Sequence, residues 1–171
     1  MVEQSDMQTQ MVSRTTSFLD NFPPLRPEWN PRFEESIVAR MGKLALAARP
    51  DLVMGRPRPD LTQTLLICDF KTGNLREEHE DEADFYALVA TLRNGVAPYK
   101  SFVYSLASAD YTSAQPVTPE VLFRAAERVI MATNAYVAVL SEKRDAELAP
   151  GMWCSWCPLA ATCPVSAAGV K

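Results

Sequence analysis

The run Thr64-Leu65-Leu66-Ile67-Cys68 narrows the possible folds more than any other stretch of the chain. It is too apolar for a surface, and it reads as a strand buried on both faces, of the kind found in the middle of a sheet covered by helices. The next three residues, Asp69-Phe70-Lys71, change its meaning. Side chains two apart on a strand share a face, so Asp69 and Lys71 emerge together while Cys68 and Phe70 turn the other way. A carboxylate and an ammonium at the end of such a strand are costly to desolvate unless they are paired or bind a metal. A structural ion pair is the plain alternative for an isolated Asp-x-Lys, and only the neighbouring residues raise the pair to a candidate site.

Those neighbours are specific. Thr72-Gly73-Asn74 reads as a turn, and Glu77 to Arg93 as a helix with apolar residues at Ala83, Phe85, Tyr86, Val89, Ala90 and Leu92, stopped by Asn94-Gly95. Glu82 and Tyr86, four apart, share one face of it. Acids at Glu77, Glu78, Glu80 and Asp81 suit the positive end of the helix dipole. Upstream, Pro50-Asp51 closes the apolar run Leu44-Ala45-Leu46-Ala47-Ala48. Arg-Pro-Asp-Leu occurs at 49–52 and again at 58–61, but Pro57 and Pro59 forbid a central strand around the second copy, so Asp51 is the site acid and Asp60 a loop acid or helix cap.

The remaining elements follow from periodicity and punctuation. Met7, Met11, Thr15 and Phe18 recur at helical spacing over residues 5–20, and Pro23, Pro24, Pro27 and Pro31 mark an extended linker. Strands are predicted over Arg32 to Met41 and Leu44 to Val53, joined by a Gly42-Lys43 hairpin, then over Thr64 to Phe70 and Tyr99 to Leu106. Thr118 caps a last helix, with Pro119 in its first turn, running to about Lys143. The order is (α)βββαβα, which predicts an α/β fold with a central mixed sheet flanked by helices.

Pro50-Asp51, the Asp69-Phe70-Lys71-Thr72-Gly73 string and Glu82-x-x-x-Tyr86 together resemble the motifs of the PD-(D/E)XK nuclease superfamily, in particular its RecB-like branch. There they read P-D, h-h-D-x-K-T-G and Q-x-x-x-Y. The resemblance runs from about Arg32 to Cys163 and implies a restriction-endonuclease-like core and hydrolysis of DNA phosphodiesters, as an exonuclease acting in repair, recombination or defence. By the same resemblance, Asp51, Asp69 and the carbonyl of Phe70 hold Mg²⁺ or Mn²⁺, and Lys71 orients or helps deprotonate the attacking water. Glu82 and Tyr86 face the DNA, and Glu34 or Glu35 reaches the metal shell. Glu82 stands where the family usually has Gln, and an ionised carboxylate accepts hydrogen bonds but cannot donate them. The alternative reading is a non-catalytic DNA-binding or scaffolding subunit beside a helicase or another nuclease subunit.

The tail carries a second signal, Cys154-Ser155-Trp156-Cys157 followed by Cys163. Three close thiols in a chain without an export signal read as metal or cluster ligands rather than disulfides. Iron–sulfur members of the resembled family end this way, which implies a [4Fe–4S] cluster on Cys154, Cys157 and Cys163. Zn²⁺ is the rival. A cluster needs four thiolates, and Cys68 on its buried strand is a core residue instead.

With 171 residues, 47% of them apolar, the chain can bury one sizeable core. We expect an N-terminal helix and linker over 1–31, a nuclease core over 32–150 and the cysteine-rich tail over 151–171. Residues 1–6 lack the basic start of a signal peptide, and Thr133, Asn134 and Tyr136 break the apolar stretch 129–140, so a cytoplasmic protein without membrane contact is expected. The net charge of −4 excludes coating of nucleic acid through bulk electrostatics. DNA contact must therefore be local, with Arg49, Arg56, Arg58, Lys71, Arg76 and Lys100 as a candidate basic rim.

Overall fold

In the computed structural model, which describes residues 2–58, 60, 62–112 and 116–165, two compact units divide the chain, residues 1–129 and 130–171. The first unit opens with helix α1 (Val2–Asn21) and a 3₁₀ turn, Pro27–Trp29, inside the proline-rich linker. Strands β1 (Arg32–Phe33), β2 (Ile37–Met41), β3 (Leu44–Ala48), β4 (Leu52–Met54) and β5 (Leu66–Lys71) follow, then helix α2 (Glu77–Asn94), β6 (Lys100–Ser105), β7 (Asp110–Tyr111) and helix α3 (Pro119–Leu140). The main sheet is mixed, with strand order β1-β4-β5-β6-β7. Among the described residues only the β5–β6 pair is parallel, joined through α2 as a crossover helix.

The two long strands expected around Gly42-Lys43 are each broken in two. Gly42 adopts the positive φ of the turn, and the hairpin runs in register from Met41↔Leu44 to Ile37↔Ala48. Beyond it the chain bends on both sides: Glu34 has a left-handed φ of 52°, and Pro50 is fully buried beside Asp51. Past the bend the same two segments pair again as β1 and β4, with Phe33↔Leu52, and the Glu34 N–H donates to the Asp51 carbonyl across it. Proline at position 50 withholds the N–H that an unbroken ladder requires, which is the physical reason for the interruption.

Two apolar clusters cover the sheet. On one face Val53, Leu65, Ile67, Val89 and Ala90 pack with Ile37, Ala39, Leu46 and Ala48 of the hairpin. On the other, Leu52, Met54, Cys68 and Tyr104 meet Phe18, Phe22, Leu25 and Phe70. Cys68 is indeed a core residue, and its thiol is pushed far above its ordinary pKa, chiefly by burial. Ile67, Val53, Val89 and Val103 are almost wholly removed from water, each worth about 1.5–3 kcal/mol of transfer free energy. Small residues line the inner face of α2 at Ala83, Ala87 and Ala90 and let it sit close to the sheet. The Ser101 hydroxyl of β6 donates to the Ala83 carbonyl at 2.8 Å and fixes its position.

Helix ends match their sequence signals. Gly95 closes α2 in the left-handed region, and its N–H donates to the Thr91 carbonyl. The Thr118 hydroxyl accepts the Val121 N–H at 3.5 Å, as an N-cap does. Helix α3 ends at Leu140 rather than Lys143, and β7 answers to no prediction; Asp110-Tyr111 is too short to show alternation. Among the described residues no helix is long and apolar enough to cross a membrane.

Candidate active site

Strand β5 delivers Asp69 and Lys71 to the face covered by α2, while Cys68 and Phe70 join the opposite cluster. Asp69 is 4% exposed. The Lys71 Nζ lies 2.7 Å from Asp69 Oδ2 and 2.6 Å from Glu82 Oε2. Glu82 in turn accepts the Tyr86 hydroxyl at 2.8 Å, so the helical i, i+4 spacing and the strand i, i+2 spacing meet in one chain of contacts. Asp51 stands one strand away at the bend, and its Oδ2 accepts the Phe70 N–H at 2.7 Å.

That last bond follows from the register. Leu52 pairs with Cys68, so Phe70 lies opposite Pro50, where the bend has carried the backbone of β4 out of the ladder. The Asp51 side chain takes the N–H that β4 no longer meets. Since the N–H and C=O of one strand residue point the same way, the Phe70 carbonyl also faces the Asp51 edge.

The cluster is electrostatically tense. Burial pushes the Asp69 carboxyl above its ordinary range, the contact with Lys71 opposes the rise, and the charge of Asp51 adds to it. For Lys71, burial works against the ammonium, but the Asp69 and Glu82 carboxylates outweigh it and hold its pKa above the usual value. For Glu82 burial acts upward, and its bonds to Lys71 and Tyr86 win and hold it low. Burial, followed by the bond to Glu82, drives the Tyr86 hydroxyl far above its usual range.

A divalent cation fits this donor set. Asp69 Oδ2 is buried and receives no well-angled hydrogen bond among the described residues, although the Lys71 ammonium touches it. With a second carboxylate close enough to raise its pKa even against the Lys71 ammonium, that acceptor suits the further positive charge a metal would supply. Among the described residues no three Asp, Glu, His or Cys side chains converge. Mg²⁺ does not require three, because it keeps several waters and takes one or two carboxylates.

Other expected contributors lie elsewhere. Glu34 is paired with Arg49 at 2.9 Å and Glu35 with Arg32 at 2.8 Å, so the bend turns both acids to surface ion pairs rather than to a metal shell. Asp60 is an exposed turn acid that accepts the Thr62 N–H at 3.0 Å; Pro59 and Leu61 lie outside the described residues. His79, the one histidine of the sequence, is half-buried, and its Nδ1 accepts the Arg76 N–H at the start of α2. Arg56, Arg58 and Lys100 do not rim the site. They stand at the opposite end of the strands, as the pairings Met54↔Leu66↔Lys100 require.

Ser105 had no sequence signal of its own, being one polar residue ending an apolar strand. It is fully buried, donates to the Gly73 carbonyl at 2.8 Å and accepts the Ala107 and Ser108 N–H groups at 3.2 Å. Together with the Leu106 N–H on the Lys71 carbonyl, it clamps the turn after Lys71.

In the second unit, a 3₁₀ segment, Met152–Trp156, carries the first tail cysteine, and Cys154, Cys157 and Cys163 are half-buried and not disulfide-bonded. Among the described residues the three thiols do not converge into a set of metal ligands.

No curated protein matches the chain. A solved structure, "Crystal structure of SSO0001", aligns with a TM-score of 0.43 at 13% identity, over 95% of this chain and 71% of that one. The family comparison reaches further: the profile of the PD-(D/E)XK nuclease superfamily matches residues 3–164, taking in the bend acid, the Asp-x-Lys strand and the helix that answers it. On that match the chain belongs to the PD-(D/E)XK nuclease superfamily, a group of metal-dependent nucleases.

Proposed function

We propose that the protein is a divalent-metal-dependent deoxyribonuclease that cleaves DNA from its ends. One observation carries the reading: a buried Asp69 whose Oδ2 has no well-angled hydrogen bond among the described residues, beside Asp51 and paired with the ammonium of Lys71. Asp51, Asp69 and the Phe70 carbonyl would hold Mg²⁺ or Mn²⁺, which when bound neutralises phosphate charge and lowers the pKa of coordinated water.

The chain's own groups do the rest. Lys71 supplies a fixed positive charge beside the phosphate oxygens, in a site dry enough for that charge to count. Glu82 positions Lys71 from α2 and is itself held by Tyr86. Ser105 keeps the following turn, and with it the direction of Lys71, in place. Attack from ends, and service in repair, recombination or defence beside a helicase, rest on the likeness of the motifs to the RecB-like branch.

End-labelled linear single-stranded and duplex DNA, and internally labelled circular DNA, incubated with Mg²⁺, with Mn²⁺ and with chelator, test the proposal against Asp69→Asn. Metal-dependent loss of linear but not circular DNA, absent from the variant, is the expected result. Equal cleavage by wild type and variant, or none with either metal, overturns it and favours a scaffolding subunit.

A further inference from the structure

The face of the sheet opposite Asp69 holds a cavity of about 990 Å³ that the nuclease chemistry does not use. Phe22, Trp29, Phe102, Tyr104 and Tyr111 are among the residues that line it. Trp29 and Tyr111 are 36% and 57% exposed, and the Arg26 guanidinium lies over the Trp29 ring, 5.6 Å from its centre, so a ligand would stack on the other face. Phe102 and Tyr111 meet edge-on, 6.1 Å apart. Tyr104 is 3% exposed, and its hydroxyl has no hydrogen-bond partner among the described residues. A phenol in that state carries an unmet desolvation cost unless something in the adjoining cavity answers it.

Charge gives the second half of the recognition. Arg56, Arg58 and Lys100 line the cavity against a single acid, Glu28, in a chain whose net charge is −4. Arg56 is held by the Asn30 side chain at 2.9 Å, the Arg58 charge acts on Asp60, and the Lys100 ammonium lies 5.5 Å from the centre of the Tyr99 ring; among the described residues neither Arg58 nor Lys100 makes an ion pair. Flat apolar walls, an unanswered hydroxyl and cations at the margin suit a planar ring bearing polar edge atoms and an anionic substituent.

We propose that this cavity binds a nucleotide, its base stacked between Trp29 and Tyr111, its ring edge toward Tyr104 and its phosphate toward Lys100 and Arg58. The chemistry is shared by a free deoxynucleoside monophosphate and by an unpaired nucleotide of a strand. The site lies on the other face of the sheet from Asp69 and needs no metal, so it stands apart from the nuclease reading.

The test is an NMR titration of the full chain in chelator, with 5′-dAMP, deoxyadenosine, inorganic phosphate and a pentadeoxynucleotide as probes. The expected result is saturable shifts of the Trp29 indole and of the Phe102 and Tyr111 amides with dAMP and the oligonucleotide. Tighter binding of dAMP assigns the free nucleotide, and tighter binding of the oligonucleotide assigns the strand. Trp29→Ala should weaken both roughly tenfold. Lys100→Ala should weaken dAMP roughly threefold and leave deoxyadenosine unchanged. Tyr104→Phe keeps the packing and removes only the hydroxyl, so it serves if the tryptophan variant misfolds; it should weaken dAMP roughly fivefold. No saturable shift with any nucleotide, equal response to phosphate alone, or full affinity in both Trp29→Ala and Tyr104→Phe overturns the proposal.

Discussion

Replacing Lys71 by Met removes the ammonium from between two carboxylates while keeping most of the side chain's volume. Deleting one partner of a buried ion pair costs about 3–5 kcal/mol. Here Asp69 is buried, but a quarter of the Lys71 side chain and about a third of Glu82 remain in water, which reduces the expected loss to about 2 kcal/mol at pH 8. The loss must depend on pH. Asp69, raised already by burial and by Asp51, rises further once its one opposing influence is gone. A carboxyl raised on folding stabilises the fold below its unfolded value and forfeits that as pH climbs through its folded value. Glu82, lowered in the wild type, contributes above its unfolded value and loses this as pH falls. Both effects open the gap between variant and wild type at high pH and close it at low pH. Urea unfolding in chelator reads it, with Trp153→Phe and Trp156→Phe in the background so that Trp29 alone reports the first unit. The expected deficit falls below about 1 kcal/mol only near pH 3.5, below the unfolded values of both carboxyls. An equal deficit at both pH values, or none at pH 8, refutes the electrostatic account of the cluster.

Asp69→Asn should abolish metal-dependent cleavage and leave the protein folded, checked by gel assay and circular dichroism, because Asn fills the same volume without the carboxylate. Glu82→Gln keeps an acceptor for Tyr86 and surrenders one charge on Lys71; cleavage should stay within about fivefold of wild type, and the contribution that Glu82 makes above its unfolded pKa should vanish from the stability–pH curve. Gly55 has φ of +84°, and a Cβ there would collide with the Thr64 carbonyl oxygen. Gly55→Ala should therefore lower stability in urea unfolding by about 2–3 kcal/mol. Ser105→Ala strands the Gly73 carbonyl and two N–H groups; a loss of about 1–3 kcal/mol in the same assay, with reduced cleavage, is expected.

The parts of the fold legible in the sequence were those fixed by local periodicity. Thr64 to Phe70 announced a central strand, found as Leu66–Lys71, Glu77 to Arg93 a helix with a glycine stop, found as Glu77–Asn94, and Gly42 a two-residue turn. The pairing of Asp69 with Lys71, and of Glu82 with Tyr86, follows from strand and helix spacing alone. Contact between the two pairs does not. It depends on how closely α2 approaches the sheet, which the small residues Ala83, Ala87 and Ala90 and the Ser101 hydroxyl decide together. The break at Glu34 and Pro50 was equally hidden, since an apolar run that bends looks like one that does not. The cysteine spacing was plain in the sequence, yet three thiols within ten residues do not converge by proximity alone.

The bend is what makes the site possible. In an unbroken hairpin, backbone of the preceding strand would cover the Phe70 edge of β5 and satisfy its N–H. With the ladder interrupted at Pro50, that N–H is open to a side chain, and the residue at the break is an acid. Asp51 thus does structural duty for the very edge on which it is a candidate ligand, so its substitution should disturb both. Asp51→Asn retains an acceptor for the Phe70 N–H and removes the charge; Asp51→Ala removes both. Asparagine should abolish cleavage at little cost in stability, whereas alanine should add about 1–2 kcal/mol of destabilisation for the orphaned N–H. If the two variants unfold at the same urea concentration, the bond at the bend contributes nothing, and Asp51 would matter for charge alone.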